Sequence, residues 1–124
     1  DRALWIRKAL GGGMRQAGVI AAAGLYALEH HVARLSDDHT RATRLGDALS
    51  ELGYPTKTPR SNMLYVTVTD GSRAQSLLDS EGVRCLSVSQ TELRLVTHLD
   101  VDDDGIASAI SAFEALSSQL CPQD

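Results

Sequence analysis

The chain contains the stretch MLYVTV at residues 63–68, where β-branched, aromatic and other apolar side chains give the composition of a β-strand. Two further strands are predicted at residues 83–88 and 92–97. The short polar segment between them, Ser89-Gln90-Thr91, suits the turn of an antiparallel hairpin. The sequence therefore predicts a three-stranded sheet.

Amphipathic helices are predicted on both sides of these strands. Residues 33–52 carry leucines at steps of three, four and seven, and residues 102–120 carry one apolar stripe. A shorter helix lies between Asp70, which suits an N-cap, and Gly82. Because each helix has a single apolar face, we predict an α+β domain with the helices packed on one face of the sheet.

The N-terminal part has a different composition. A short helix at residues 2–10 is predicted to end at Gly11-Gly12-Gly13, and a long Ala-rich helix follows from Met14 to Val32. This second helix is apolar on several sides, so we expect it to be buried. We therefore divide the chain into a lead-in, residues 1–32, and a small α+β domain, residues 33–124.

Composition excludes several function classes. Twelve basic and sixteen acidic residues give a net charge of -4, which offers no field to attract nucleic acid. The apolar run at residues 17–28 is too short to span a bilayer. Cys85 and Cys121 show no metal-binding or redox spacing, so a cytoplasmic protein is expected, without nucleic-acid or membrane partners.

Three motifs invite a ligand. The glycine triplet before a helix, flanked by Lys8 and Arg15, is typical of phosphate binding, although glycine triplets also act as plain helix breakers. The acidic run at residues 100–105 imitates half of a calcium loop but lacks the distal carboxylate, so a helix N-cap at Asp100 is favoured. The four histidines form no ligand set, and no metal site is predicted.

Arg94 is the most informative charge in the sequence. In an extended strand Leu93 and Leu95 face one side, while Arg94 and Val96 face the other. If the helices cover the leucines, Arg94 points away from them. It is then either a solvated arginine or a donor that binds a carboxylate in a cleft.

Two segments together resemble low-specificity L-threonine aldolases: RKALGGGMRQAG at residues 7–18 and RLVTHLDV at residues 94–101. The resemblance covers nearly the whole chain. It implies the small C-terminal domain of a fold-type-I enzyme that uses pyridoxal 5'-phosphate. Such enzymes cleave L-threonine or L-allo-threonine to glycine and acetaldehyde, as homotetramers with active sites at subunit interfaces.

The resemblance also implies roles for individual residues. Arg94 matches the arginine that binds the substrate carboxylate. Lys8 and Arg15, with Gly12 and Gly13, match positions that contact the cofactor phosphate. The family's Schiff-base lysine lies upstream of this segment, so no catalytic residue is assigned here, and the N-terminal half of the same enzyme is an expected partner.

Two alternatives remain open at this stage. One is a non-catalytic α+β module for ligand binding or assembly, and the other is a different fold-type-I lyase. The GGGMRQ segment with its Ala-rich helix favours the aldolase, because a self-contained sensor has no need of it.

Overall fold

The computed structural model describes residues 1–122, so residues 123 and 124 of the predicted small domain lie outside the described part of the chain. The chain divides into two units, Asp1–Ala33 and Arg34–Asp124.

The first unit contains two helices, α1 at Arg2–Ala9 and α2 at Gly18–His30. Helix α1 ends where Gly11 adopts a positive φ of 76°, which glycine tolerates without strain. The second helix begins four residues later than predicted, because Gln16 has a φ of 55° that interrupts helical geometry. The expected burial of this Ala-rich helix is also absent, since none of its residues is buried in the described chain.

The second unit alternates helices and short strands. In chain order its elements are α3 (Leu35–Glu51), β1 (Thr56–Lys57), β2 (Met63–Thr67), α4 (Gly71–Ser80), β3 (Leu86–Ser87), β4 (Glu92–Val96), α5 (Asp103–Ala115) and α6 (Ser117–Leu120). The predicted α+β class is confirmed.

The sheet of this unit has four antiparallel strands in the order β1-β2-β4-β3, so the predicted number of three is wrong. The additional strand is β1, which pairs Thr56 with Val66 and Lys57 with Tyr65. It has two residues beside Pro55, too few to show the alternation that identifies a strand in a sequence. Strand β3 is also shorter than predicted, with only two residues paired to β4.

The core lies between the sheet and the helices. Helices α3 and α5 pack together, α3 also covers β2, and α4 contacts β3 and β4. Along the two central strands alternate side chains are buried against these helices, namely Leu64, Val66, Leu93 and Leu95. The helices contribute Leu49, Leu78, Ile106, Phe113 and Leu120 to the core, and the loop after α3 contributes Tyr54.

Side-chain caps fix two of the helix starts. Asp70 accepts a hydrogen bond from Arg73 N at 3.0 Å, which confirms the predicted cap of α4. Helix α5 is capped by Asp102, which accepts from Gly105 N at 2.8 Å, so the predicted cap at Asp100 is wrong by two residues. The predicted last helix is interrupted at Leu116, which separates α5 from α6.

Candidate functional site

The sheet leaves one face uncovered by its helices. Its side chains alternate with the buried leucines, and we call it the outer face; it carries Met63, Tyr65, Leu86, Arg94 and Val96. Arg94 lies at its centre, opposite Tyr65 of β2 on one side and Leu86 of β3 on the other. The strand alternation thus places Arg94 away from the helices.

Arg94 as a whole residue is half-buried, yet its Nε atom is fully buried. Among buried side-chain nitrogen and oxygen atoms of residues 1–122, this Nε is the one without a hydrogen-bond partner. A buried donor left unpaired costs about 1–3 kcal/mol, and more when it is charged. An arginine in this state suits an acceptor that the described residues do not supply, and a carboxylate matches its planar fork.

Arg94 borders a cavity of about 240 Å³ on the outer face, lined also by Arg84, Cys85, Leu86, Val96 and His98. Arg84 is exposed and forms no ion pair within residues 1–122. His98 is held at its Nδ1, which accepts the Asp100 backbone N–H at 3.3 Å. Two arginines, Arg84 and Arg94, therefore border one cavity, which favours an anionic ligand.

Cys85 also lines this cavity and could be considered a nucleophile. Burial, with a smaller effect from the nearby Asp79, raises the pKa of its thiol to about 11. The thiol is therefore protonated at neutral pH, whereas nucleophilic cysteines depend on the thiolate. The cavity therefore presents no activated thiol at neutral pH.

Hydrogen bonds anchor the end of β4 that leads from Arg94 to His98. Thr97 is buried, and its Oγ1 donates to the carbonyl oxygen of Asp38 in α3 at 2.7 Å. The Asp38 carboxylate in turn accepts two hydrogen bonds from Arg34, at 2.7 and 3.1 Å. Asn62 Nδ2 donates to the Thr97 carbonyl oxygen at 2.7 Å. These bonds fix the strand on which Arg94 lies.

The glycine turn of the first unit has its own geometry. The backbone N–H groups of Gly11, Gly12 and Gly13 donate within the turn, to the carbonyl oxygens of Lys8, Arg7 and Gly11 respectively. They form the C-terminal end of α1 and do not directly precede α2, so the turn presents no free N–H cluster for a phosphate. A Cβ added at Gly13 would lie in open space. A Cβ added at Gly12 would lie 2.9 Å from Cγ of the Arg7 side chain.

Lys8 and Arg15 lie on either side of this turn, and both are exposed. Neither side chain forms a hydrogen bond or an ion pair within residues 1–122. Next to Arg15, Gln16 is the one described non-glycine residue with a positive φ. Such strain is common where a chain holds a ligand group in place. The assignment of Lys8, Arg15, Gly12 and Gly13 to a cofactor phosphate stays a prediction.

The described residues contain no group of three or more histidine, cysteine or acidic side chains placed to hold a metal ion. Asp103, from the acidic run that imitates a calcium loop, accepts a hydrogen bond from Arg41 at 3.0 Å. None of the helices found within residues 1–122 is long and apolar enough to cross a membrane.

Comparison with known proteins adds the family. The model of the beta-eliminating lyase family matches residues 1–70 of the 124. The chain belongs to the beta-eliminating lyase family. The low specificity L-threonine aldolase of Escherichia coli K12 is 40% identical over 115 residues, which cover 92% of this chain and 34% of that protein. The low-specificity L-threonine aldolase 1 of Arabidopsis thaliana is 31% identical over 122 residues, covering 92% and 34%.

These similarities confirm the resemblance to threonine aldolases predicted from the sequence. The chain spans about a third of the length of the curated relatives it matches. Among solved structures, the Sphingomonas wittichii serine palmitoyltransferase matches with a TM-score of 0.62 at 20% identity, covering 79% of this chain and 28% of that one. At this identity the match shows the fold alone.

Sequence reasoning missed most of the residues around Arg94. Arg84 and His98 continue the outer face beyond the paired strand residues, Arg84 from the side of β3 and His98 from the end of β4. Alternation in the predicted strand 83–88 puts Arg84 on the same side as Leu86, but the register that pairs Leu86 with Arg94 could not be derived from the sequence. For His98 the signal was present, since it follows Arg94 by four residues and strand alternation puts both on one side.

Proposed function

We propose that this chain is part of a pyridoxal-phosphate-dependent aldolase that cleaves L-threonine or L-allo-threonine to glycine and acetaldehyde. The proposal rests on the family membership and on the 40% identity to an L-threonine aldolase over nearly the whole chain. Activity requires the part of the enzyme that carries the Schiff-base lysine, which the resemblance does not assign to any residue here.

Arg94 is the residue of this chain that binds the substrate. The observation that carries the proposal is its buried, unpaired Nε at the edge of a cavity that a second arginine, Arg84, also lines. A carboxylate would satisfy this donor in a charge-assisted hydrogen bond. Held in the guanidinium fork, the carboxylate fixes how the remaining substituents of the amino acid's Cα are oriented, which is the positioning that a cleavage between Cα and Cβ requires.

Lys8 and Arg15 are proposed to contact the cofactor phosphate. Two exposed cations without partners, held on either side of a fixed turn, fit a group of that charge. Because the N–H groups of Gly12 and Gly13 donate within the turn, we propose that these glycines shape the turn while the side chains bind. When bound, pyridoxal phosphate supplies an electron sink for the negative charge left on the glycine carbon.

We further propose a cytoplasmic homotetramer in which residues 1–32 are the lead-in from the large domain and residues 33–124 are the small domain. Large apolar side chains of the first unit support a partner surface there, because Trp5, Leu10 and Val19 are 72%, 82% and 83% exposed. The N-terminal half of the same enzyme is the partner that the family relationship suggests. Two free cysteines are typical of a reducing compartment.

Replacement of Arg94 in the holoenzyme tests the proposal. We expect Arg94→Lys to lower kcat/KM for L-threonine about 10-fold and Arg94→Gln about 100-fold, since a bidentate charged pair is lost. Glycine release from L-threonine and from L-allo-threonine provides the assay. The matched control is Arg60→Gln, an exposed arginine in the loop between β1 and β2, which should leave kcat/KM unchanged.

Wild-type kcat/KM in both Arg94 variants would refute the assigned role of this arginine. Loss of turnover with an unchanged affinity for glycine would contradict it as well, because the carboxylate is present in substrate and product alike.

A further inference from the structure

The outer face carries an ion pair close to Arg94. Lys57 of β1 lies opposite Tyr65 of β2, and Tyr65 lies opposite Arg94 of β4. Glu92 is on the same strand and the same face as Arg94, two residues earlier. The Nζ atom of Lys57 donates to Oε1 of Glu92, so the lysine spans the strand that separates β1 from β4.

Glu92 is a natural competitor for Arg94. Residues two apart on a strand are separated by about 6.6–6.8 Å along it, a distance that a glutamate and an arginine on one face can bridge with their side chains. Such a pair would occupy the fork that a carboxylate ligand needs. Yet Arg94 forms no ion pair within residues 1–122, and Glu92 is bound to Lys57 instead.

The aromatic ring of Tyr65 holds the lysine in this position. The Nζ atom of Lys57 lies 5.3 Å from the centroid of the ring, within the range of a cation–π interaction. Glu92 is three-quarters buried at its side chain, so its position is restricted as well. Lys57 therefore has two contacts that direct it toward Glu92 across the sheet.

We propose that Lys57 is a positioning residue that keeps Arg94 free for a carboxylate ligand by holding Glu92 in an ion pair. The inference rests on the proposed function, in which Arg94 binds the carboxylate of the amino acid. Lys57 itself touches no substrate. It acts by excluding the one acidic residue that shares the strand and the face of Arg94.

Removal of Lys57 releases Glu92 to pair with Arg94. The fraction of protein with an accessible guanidinium then falls, and the apparent dissociation constant of a carboxylate ligand rises by the inverse of that fraction. A partly exposed pair of this kind predicts an increase of about two- to sixfold. Turnover at saturating substrate should change much less, because excess ligand displaces Glu92.

A double-mutant cycle in the holoenzyme tests this mechanism, with glycine binding measured by isothermal titration calorimetry. We expect Lys57→Met to weaken glycine binding, Glu92→Gln to bind at least as tightly as wild type, and the combined variant to match Glu92→Gln. A purely long-range effect of the lysine charge would instead cause the same loss in both backgrounds, since independent effects add. An equal loss in both backgrounds would overturn the proposal.

Two controls separate the possible failures. Glycinamide has no carboxylate, so Lys57→Met should not weaken its binding relative to wild type; equal losses for glycine and glycinamide would mean general damage and would overturn the proposal. Arg94→Gln must weaken glycine binding. If it does and Lys57→Met has no effect, only the role of Lys57 is wrong; if Arg94→Gln and Arg94→Lys both bind glycine normally, the carboxylate-binding role of Arg94 in the proposed function fails too.

Discussion

Tyr54 offers the sharpest test of the core, because the stability cost of one substitution should be present at neutral pH and disappear at alkaline pH. Its side chain is 1% exposed, and its hydroxyl donates to the carbonyl oxygen of Phe113 at 2.9 Å. That carbonyl belongs to the last turn of α5, where helices leave acceptors without intrahelical partners. Tyr54→Phe keeps the edge-to-face ring contact with Phe113 and removes only this bond.

At neutral pH the lost bond should destabilise the variant by about 1–2 kcal/mol, because a buried acceptor is left unpaired. Burial, with a smaller effect from Cys121, raises the pKa of Tyr54 from 10.0 to about 12. The folded state therefore holds the phenol proton more tightly than the unfolded chain, so wild-type stability falls as pH rises from 10 to 12. At pH 11 this loss amounts to about 1.4 kcal/mol.

Phenylalanine does not titrate, so the stability difference between wild type and Tyr54→Phe should narrow above pH 10 and vanish near pH 11. Urea unfolding followed by circular dichroism at pH 7, 9, 10 and 11 measures this difference directly. Fluorescence is unsuitable because the single tryptophan, Trp5, lies in the first unit. Tyr65→Phe is the control, since its hydroxyl has no hydrogen bond within residues 1–122 and neutral-pH stability should stay within about 0.5 kcal/mol. A constant difference from pH 7 to pH 11 would refute the reasoning.

Two further substitutions test packing, both by urea unfolding at neutral pH. Leu93→Ala should lower the free energy of unfolding by about 2–5 kcal/mol, because the side chain is fully buried. Leu86→Ala on the outer face, where the side chain is 47% exposed, should lower it by less than about 1 kcal/mol. Similar losses in the two variants would mean that the face assignment is wrong. Gly71→Ala should lower the free energy of unfolding by about 1–3 kcal/mol, because the added Cβ would lie 2.5 Å from Ser87 Oγ and 2.6 Å from the Ser89 carbonyl oxygen. Gly105→Ala, where the nearest contact of the Cβ is at 3.4 Å, should not destabilise the protein. Unchanged stability of Gly71→Ala would contradict this close approach.

The sequence allowed the central strands and their faces to be predicted because β2 and β4 are long enough to alternate. In β4, Leu93 and Leu95 alternate with Arg94. Once helices cover the side of the sheet that carries the leucines, Arg94 must face the other side. The cap at Asp70 was also predictable, since an acidic residue before glycine and an apolar stripe has few other roles.

The parts that could not be predicted depend on tertiary contacts. Strand β1 forms because Thr56 and Lys57 pair with β2, and the adjoining Thr67 N–H donates to the Pro55 carbonyl oxygen at 2.8 Å. Local sequence does not encode that pairing, since prolines on both sides favour a loop. The break at Leu116 is similar, because the apolar stripe continues through it without a glycine or proline.

The same contrast applies to the site. Arg94 could be identified from its own strand, whereas the significance of Lys57 depends on β1, a strand that the sequence did not reveal. Once β1 is paired, Lys57 and Glu92 lie on one face with Tyr65 between their strands, and a lysine in an apparent loop acquires a defined partner. A binding arginine needs a carboxylate from its ligand, so any acidic neighbour on its face must be engaged elsewhere. In this sheet a strand of only two residues provides the residue that engages it.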